Sequence, residues 1–315
     1  GADTQQRHNR QQDIPKAETA TNLIFKHKLK NPLPVPLVSG VLLALLSVVA
    51  WSTNYVVGRY LAIHGVDPAA LSIARFAIAA PATFAIFRFP RYAGGLKRLA
   101  VAGTLGVALF NFSLYASLHY MSAFATSLFT ILAGPLTASA SYAAKGRAPP
   151  PPVILGGSLA LAGAYLALAP YISIRSMAGP LLASAAAASW SAYTLYVRRV
   201  YEAYKPGPAS AWINLLGLAD MAPAIPFADF KTLASWDVAL PLLYVAMVPG
   251  ALAYTAWNVA INRAGPARAA AMLPLMPVIT LIISALSLGE APAPAQIIGM
   301  ALAVVGVYLT ARSST

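Results

Sequence analysis

Residues 253–265 read AYTAWNVAINRAG, and Tyr254, Trp257, Asn258 and Asn262 recur there at helical spacing on one face. The flanking residues are apolar enough to lie in lipid. Aromatic and amide groups in such a helix can stack on a ring and hydrogen-bond a polar cargo. The same types recur in other apolar runs: Trp51, Asn54 and Tyr55; Asn111 and Tyr115 in LFNFSLYASLHY; Trp190, Tyr193 and Tyr196; Trp212 and Asn214. Unpaired amides and hydroxyls are costly in hydrocarbon, so these groups face other helices or a wet cavity. Two readings fit. One is a cavity with aromatic walls and amide donors, and the other is hydrogen bonding between helices with aromatic belts at the interface.

Two ionisable groups join them. Arg75, in LSIARFAIAA, can snorkel outward or offer a fixed positive charge to a carboxylate. Asp220, in LLGLADMAPAIP, is the one acid expected well inside an apolar run. It can carry a coupling proton, bind an ammonium, or pair with an arginine. Glu290, in LGEAP, is expected as an exposed cap or loop carboxylate. Pro135, Pro249, Pro274 and Pro277 remove backbone hydrogen bonds inside apolar runs, which suits either static kinks or gating bends. The chain has no cysteine, and its four histidines lack metal-ligand spacing, so neither a metal nor another cofactor is expected.

The elements that must position these groups follow from composition. Of 315 residues, 58% are hydrophobic and 10% charged, with mean hydropathy +0.65. Soluble domains carry about 25% charged residues. Apolar runs near the roughly 20 residues needed to cross a bilayer recur along the chain. An all-α polytopic membrane protein is expected, with ten transmembrane helices near 36–58, 69–88, 96–117, 122–144, 152–170, 179–199, 207–228, 238–262, 266–288 and 293–311. A basic tail over 1–35, mostly disordered, precedes a first repeat over 36–170 and a second over 171–315. Eighteen of the 22 Lys and Arg fall on one side of this topology and three on the other, with Arg75 left inside a span. That asymmetry puts both termini in the cytoplasm and ties the net charge of +13 to membrane orientation rather than to nucleic acid.

The halves repeat. Trp51-Ser52 with Arg59 recurs 139 residues later as Trp190-Ser191 with Arg198. At an offset of 143, Gly146, Gly156, Gly163 and Tyr165 return as Gly289, Gly299, Gly306 and Tyr308. Five spans per repeat force the second copy to insert upside down, an arrangement typical of secondary transporters with a site between the halves. Gly156, Ala160, Ala164, Gly299 and Ala303 mark spans 5 and 10 for close helix contact, within the scaffold or across a homodimer. An intramembrane enzyme would need paired carboxylates, a Ser/His pair or a metal cluster at midplane, and none is present.

Several motifs carry a family resemblance in order: AWSTNY (50–55), LSIARF (71–76), TSLFTILAGPLTA (126–138), WSAYTLYVRR (190–199), MLPLMPVITLIISALSLGEAP (272–292) and IIGMALAVVGVYL (297–309). Together they resemble the drug/metabolite transporter superfamily of the EamA ten-helix type. AYTAWNVAI (253–261) and the FPR turn (89–91) are most similar to the bacterial aromatic amino acid exporters. The first repeat departs from the usual Gly-Glu after span 4, having Lys145-Gly146-Arg147. The resemblance implies two inverted repeats around a central cavity and alternating access in the bacterial inner membrane. It also implies export of amino acids, aromatic or neutral, with Tyr254, Trp257 and Asn258 lining the cavity. A multidrug, lipophilic-cation or other metabolite carrier is the alternative on the same scaffold.

Overall fold

A computed structural model describes residues 35–168, 177–264, 269 and 272–313; the basic tail expected over 1–35 lies outside them but for its last residue, Val35. The side chains of Asn258, Ile261 and Asn262 are also outside the description. All described secondary structure is helical. In chain order it comprises α1 (Val35–Ile63), α2 (Pro68–Ile86), α3 (Leu96–Ser117), α4 (Ala123–Ala143), α5 (Pro151–Leu168) and α6 (Ala178–Tyr196). Then follow α7 (Pro206–Asp220), α8 (the consecutive stretches Trp236–Val245, Ala246–Leu252 and Ala253–Ala264), α9 (Leu275–Leu288) and α10 (Pro294–Ser313).

By length and composition, six of these can cross a membrane: α1, α2, α3, α4, α8 and α10. α5 and α9 are shorter apolar helices. α7 ends at Asp220, short of the expected 228, and Ala222–Phe227 continues as a 3-10 turn. Pro223 and Pro226 explain the early stop, because neither can donate to the carbonyl one turn back. Caps fix other boundaries. Asp67 accepts from the Ala70 amide at 2.8 Å with Pro68 opening α2, Ser122 accepts from the Ala125 amide at 3.2 Å, and Gly289 closes α9 at φ +68°.

The four prolines act differently from one another. Pro135 follows a break in α4 at Ile131–Leu132, where its missing amide leaves the Ile131 carbonyl to Gly134. Pro249 lies in a π-helical stretch of α8, Ala246–Leu252. Pro274 caps α9 and Pro277 stands in its first turn, where no amide partner is required. The last two therefore start a helix rather than kink the middle of one. A second π-helical stretch, Thr104–Leu109, interrupts α3 at the repeat-equivalent place without any proline.

Packing pairs the halves. α1 lies against α8 and α9, α6 against α3 and α4, α2 against α7, and α5 against α10. Exchanging the two halves interchanges the α1 and α6 pairs and returns α2–α7 and α5–α10 to themselves. In the α5–α10 pair, Gly156 meets Gly306 and Thr310, while Gly163 meets Gly299 and Ala303, too closely for a Cβ. These contacts run the two helices antiparallel and exchange residues that the 143-residue offset makes equivalent. The small-residue stripes thus pack on each other within the chain. Large apolar side chains such as Ile154, Leu161, Tyr165, Ile297 and Val305 are exposed around the pair, as a lipid-facing surface requires.

Candidate functional site

The centre is built from two unlike parts. The first surrounds Arg75, on α2, which is only 3% exposed. Its Nη1 donates to Asn111 Oδ1 at 2.7 Å and to the Tyr115 hydroxyl at 2.8 Å, both on α3. Tyr115 passes its own proton to Asn54 Oδ1 on α1 at 2.8 Å. Asn111 Nδ2 donates to the Val107 carbonyl at 2.8 Å, inside the π-helical stretch of α3. The guanidinium also lies 5.2 Å from the Phe76 ring and 5.7 Å from that of Tyr115. Its Nε is buried without a hydrogen-bond partner. Among the described residues no carboxylate lies within ion-pair distance of Arg75.

A buried charge without a counter-ion is costly, and two hydrogen-bonded neighbours offset that cost only in part. An unmatched donor beside it is therefore a place for an anion. Gly250 lets α8 pack closely on α2 here: a Cβ there would sit 3.1 Å from the Val245 carbonyl, 3.3 Å from the Ala79 Cβ and 3.6 Å from Arg75 Nε.

The second part is a run of rings. Trp190 lies 5.0 Å from Phe110, 5.1 Å from Tyr193 and 6.4 Å from Tyr254. Trp51 joins it, 5.5 Å from Tyr254 and 5.1 Å from Trp257. Trp51 also donates through Nε1 to the Pro249 carbonyl at 3.2 Å. Tyr193 closes against Gly106, where any side chain would collide with the ring. Rings from α1, α3, α6 and α8 thus meet across the halves.

Between these rings and α7 lies a cavity of about 10 Å³, lined by Gly106, Val107, Tyr193, Ser210, Ile213, Asn214 and Tyr254. That is room for one water at this place among the described residues. Here apolar rings pack on one another rather than hold a void open.

Of the residues singled out in sequence, the structure joins Asn54, Arg75, Asn111 and Tyr115 by hydrogen bonds. It joins Trp51, Trp190, Tyr193, Tyr254 and Trp257 by ring contacts. Tyr55 is buried beside Val48, Leu114 and Met276 in the adjoining core. Asn258 falls among the side chains not described. Asp220 stands apart at the end of α7, where it is half-buried and accepts from the exposed Thr104 hydroxyl at 2.8 Å.

Sequence reasoning passed over Phe110 and the π-helical stretches, and it placed Glu290 differently. Phe110 and the two π-helical stretches give no periodic signal, although Gly106 and Gly250 mark where Tyr193 and Arg75 approach. Asn214 crosses from α7 to Thr83 on α2, donating at 3.1 Å. Glu290 is not an exposed cap. It pairs with Arg59 Nε at 3.0 Å and accepts from the Ala123 amide at 3.1 Å, tying α1, the start of α4 and the α9–α10 turn together. Arg59 also donates to the Leu118 carbonyl.

Apolar helices with a buried cation and a ring cluster between two related halves define a polytopic membrane protein. The chain belongs to the EamA-like transporter family, which it matches over residues 38–169 and again over 177–312. It is similar to probable amino-acid metabolite efflux pumps of Salmonella typhimurium and Escherichia coli, each 28% identical over 85% of this chain and 93% of the relative. A probable terminal-alkyne amino-acid exporter of Streptantibioticus cattleyicolor is 25% identical over 85% of this chain and 91% of its own. A solved crystal structure shares the fold, with TM-score 0.60 and 22% identity over 87% of this chain and 97% of that one. Family and relatives are transporters, not enzymes.

Proposed function

We propose that the chain is a secondary transporter that exports amino acids, aromatic and neutral ones included, from the cytoplasm by alternating access. Ten spans in two inverted repeats, with both termini in the cytoplasm of a bacterium and the body in its inner membrane, complete the reading. The observation that carries it is Arg75, a buried guanidinium with an unmatched donor, whose partners Asn111 and Tyr115 stand on α3 with Phe110 of the ring cluster. Arg75 binds the carboxylate by charge-assisted hydrogen bonds, and the rings of Trp51, Trp190, Tyr193, Tyr254 and Trp257 hold the apolar body. Asn258 lies on the same helical face as Tyr254 and Trp257. The centre opens to cargo as α4 and α8 bend at Pro135 and Pro249.

The names of the relatives support amino-acid-like cargo. Asp220 is the candidate for a coupling proton, carried at the flank of the molecule rather than beside the cargo. A lipophilic-cation carrier is disfavoured, because the charge at the centre is positive. Proteoliposomes containing the full chain, loaded with labelled phenylalanine or with a lipophilic cation, test the proposal. Saturable, stereospecific phenylalanine efflux is expected, and flux of the cation alone contradicts it. Acceleration by a pH gradient that disappears in Asp220→Asn identifies proton coupling.

A further inference from the structure

The balance of donors and acceptors around Arg75 separates the two charged ends of an amino acid. We infer that the site reads the carboxylate and leaves the amine unread. Its better cargo is an apolar monocarboxylate without a charged nitrogen, an arylalkanoic or N-acylated amino acid. The inference rests on the export reading and narrows its substrate class.

The acids of the chain show why. Of the nine, Asp3, Asp13 and Glu18 belong to the tail. Asp67 caps α2, Asp220 accepts from Thr104, and Asp229 accepts from the Lys231 amide. Glu202 pairs with Arg98 and Glu290 with Arg59, while Asp237 stands in the first turn of α8. None of the six acids among the described residues bonds to the Arg75 network. A substrate ammonium drawn into the centre finds no carboxylate there.

The amide oxygens do not replace one. Asn111 Oδ1 accepts from Arg75 and Asn54 Oδ1 from Tyr115, and an ammonium approaching the second lone pair of either is repelled by the guanidinium of the same network. What the network leaves open is a donor, Arg75 Nε. A monoanion placed there forms a neutral complex that can be occluded in the membrane. A zwitterion leaves a net positive charge and a dehydrated ammonium. The ring faces attract that ammonium, but such attraction recovers only part of the cost of dehydrating it.

The test uses three compounds of one shape: L-phenylalanine, 3-phenylpropionate without the amine, and 2-phenylethylamine without the carboxylate. Each competes against labelled L-phenylalanine efflux from proteoliposomes of the full chain at pH 8, with protein-free liposomes subtracted. 3-Phenylpropionate is expected to inhibit at a concentration at least about tenfold below that of unlabelled phenylalanine, with 2-phenylethylamine inert. In Arg75→Gln, reconstituted in matched amount, the advantage of 3-phenylpropionate disappears. Should that variant fail to fold, the ranking in the unmodified protein decides alone. Saturable phenylalanine efflux that excess 3-phenylpropionate does not inhibit overturns this inference and leaves the export reading intact. Saturable flux of labelled 3-phenylpropionate without flux of phenylalanine breaks the amino-acid reading and supports the inference, whereas no saturable flux of either sinks both.

Discussion

The first half of the chain contributes Asn54, Arg75, Asn111 and Tyr115 to the centre, a hydrogen-bonded set around a cation. The second contributes Trp190, Tyr193, Tyr254 and Trp257, a set of rings to which Trp51 and Phe110 reach across. The helices that hold them correspond: α3 and α8 each carry a π-helical stretch at the matching place, with Gly106 in one and Gly250 in the other. Related backbones thus present different chemistry from the two halves. A symmetric scaffold has acquired one end for charge and another for apolar surface, which suits a cargo with both.

A second contrast lies at the ends of α4 and α9. The second half has Gly289-Glu290 where the first has Gly146-Arg147. Glu290 closes its end through Arg59 and the Ala123 amide. Arg147 is exposed, and its repeat-equivalent partner, Arg198, is a like charge. The tie therefore belongs to one end of the molecule.

Removing the cation from the polar half has the largest effect. Arg75→Gln is expected to raise half-saturation for phenylalanine efflux by at least about 100-fold, since losing one partner of a buried charge-assisted pair costs about 3 kcal/mol. Stripping the ring half comes next. Trp190→Ala should lower stability by about 2 kcal/mol, short of full burial values because the ring is half-buried, and this is read from the thermal midpoint of the detergent-solubilised protein.

Tyr115→Phe keeps the ring and removes both hydroxyl bonds. An efflux loss of about fivefold to tenfold is expected, corresponding to about 1 kcal/mol. Glu290→Gln should cost about 0.5 kcal/mol in the thermal midpoint, since the pair is partly exposed and screened. Arg59→Gln alone and combined with it tests whether the two effects are coupled.

The smallest effect is a pH dependence at the Arg59–Glu290 end. Burial pushes the His119 imidazole below its ordinary range, against the opposing pull of the Val66 carbonyl that it faces at 3.1 Å. Folding therefore favours the neutral ring. Its contribution is full above the ordinary histidine value of about 6.5 and is lost as pH falls through the lower folded value. His119→Gln should flatten the thermal midpoint over that acid window, and an unchanged slope contradicts the assignment.

Much of the scaffold was legible because lipid imposes a simple rule. Apolar runs of fixed length, punctuated by Asp67-Pro68, KGRAPPPP and LGEAP, mark helices almost wherever they form. Small residues at 156, 160, 164, 299 and 303 marked spans 5 and 10 for close contact, although not whether within the scaffold or across a homodimer, nor that the two would pack on each other in reverse order. Asn54, Arg75, Asn111 and Tyr115 were visible one by one as polar residues in apolar runs. Their joining was not, since three separate helices supply it and only packing sets their faces together. Asp220 stands at the end of its helix rather than well inside a run, because Pro223 stops the helix there and leaves the acid beside Thr104. The closed centre had no sequence signal at all, because ring types state what can line a cavity and only packing decides whether it is open.

The most direct test is equilibrium binding of labelled L-phenylalanine to the purified chain and to its Arg75→Lys and Arg75→Gln variants. Saturable binding that weakens in the lysine variant and vanishes in the glutamine variant, with all three equally monodisperse, is the predicted result. Equal affinity in all three would show that the buried guanidinium does not hold the cargo.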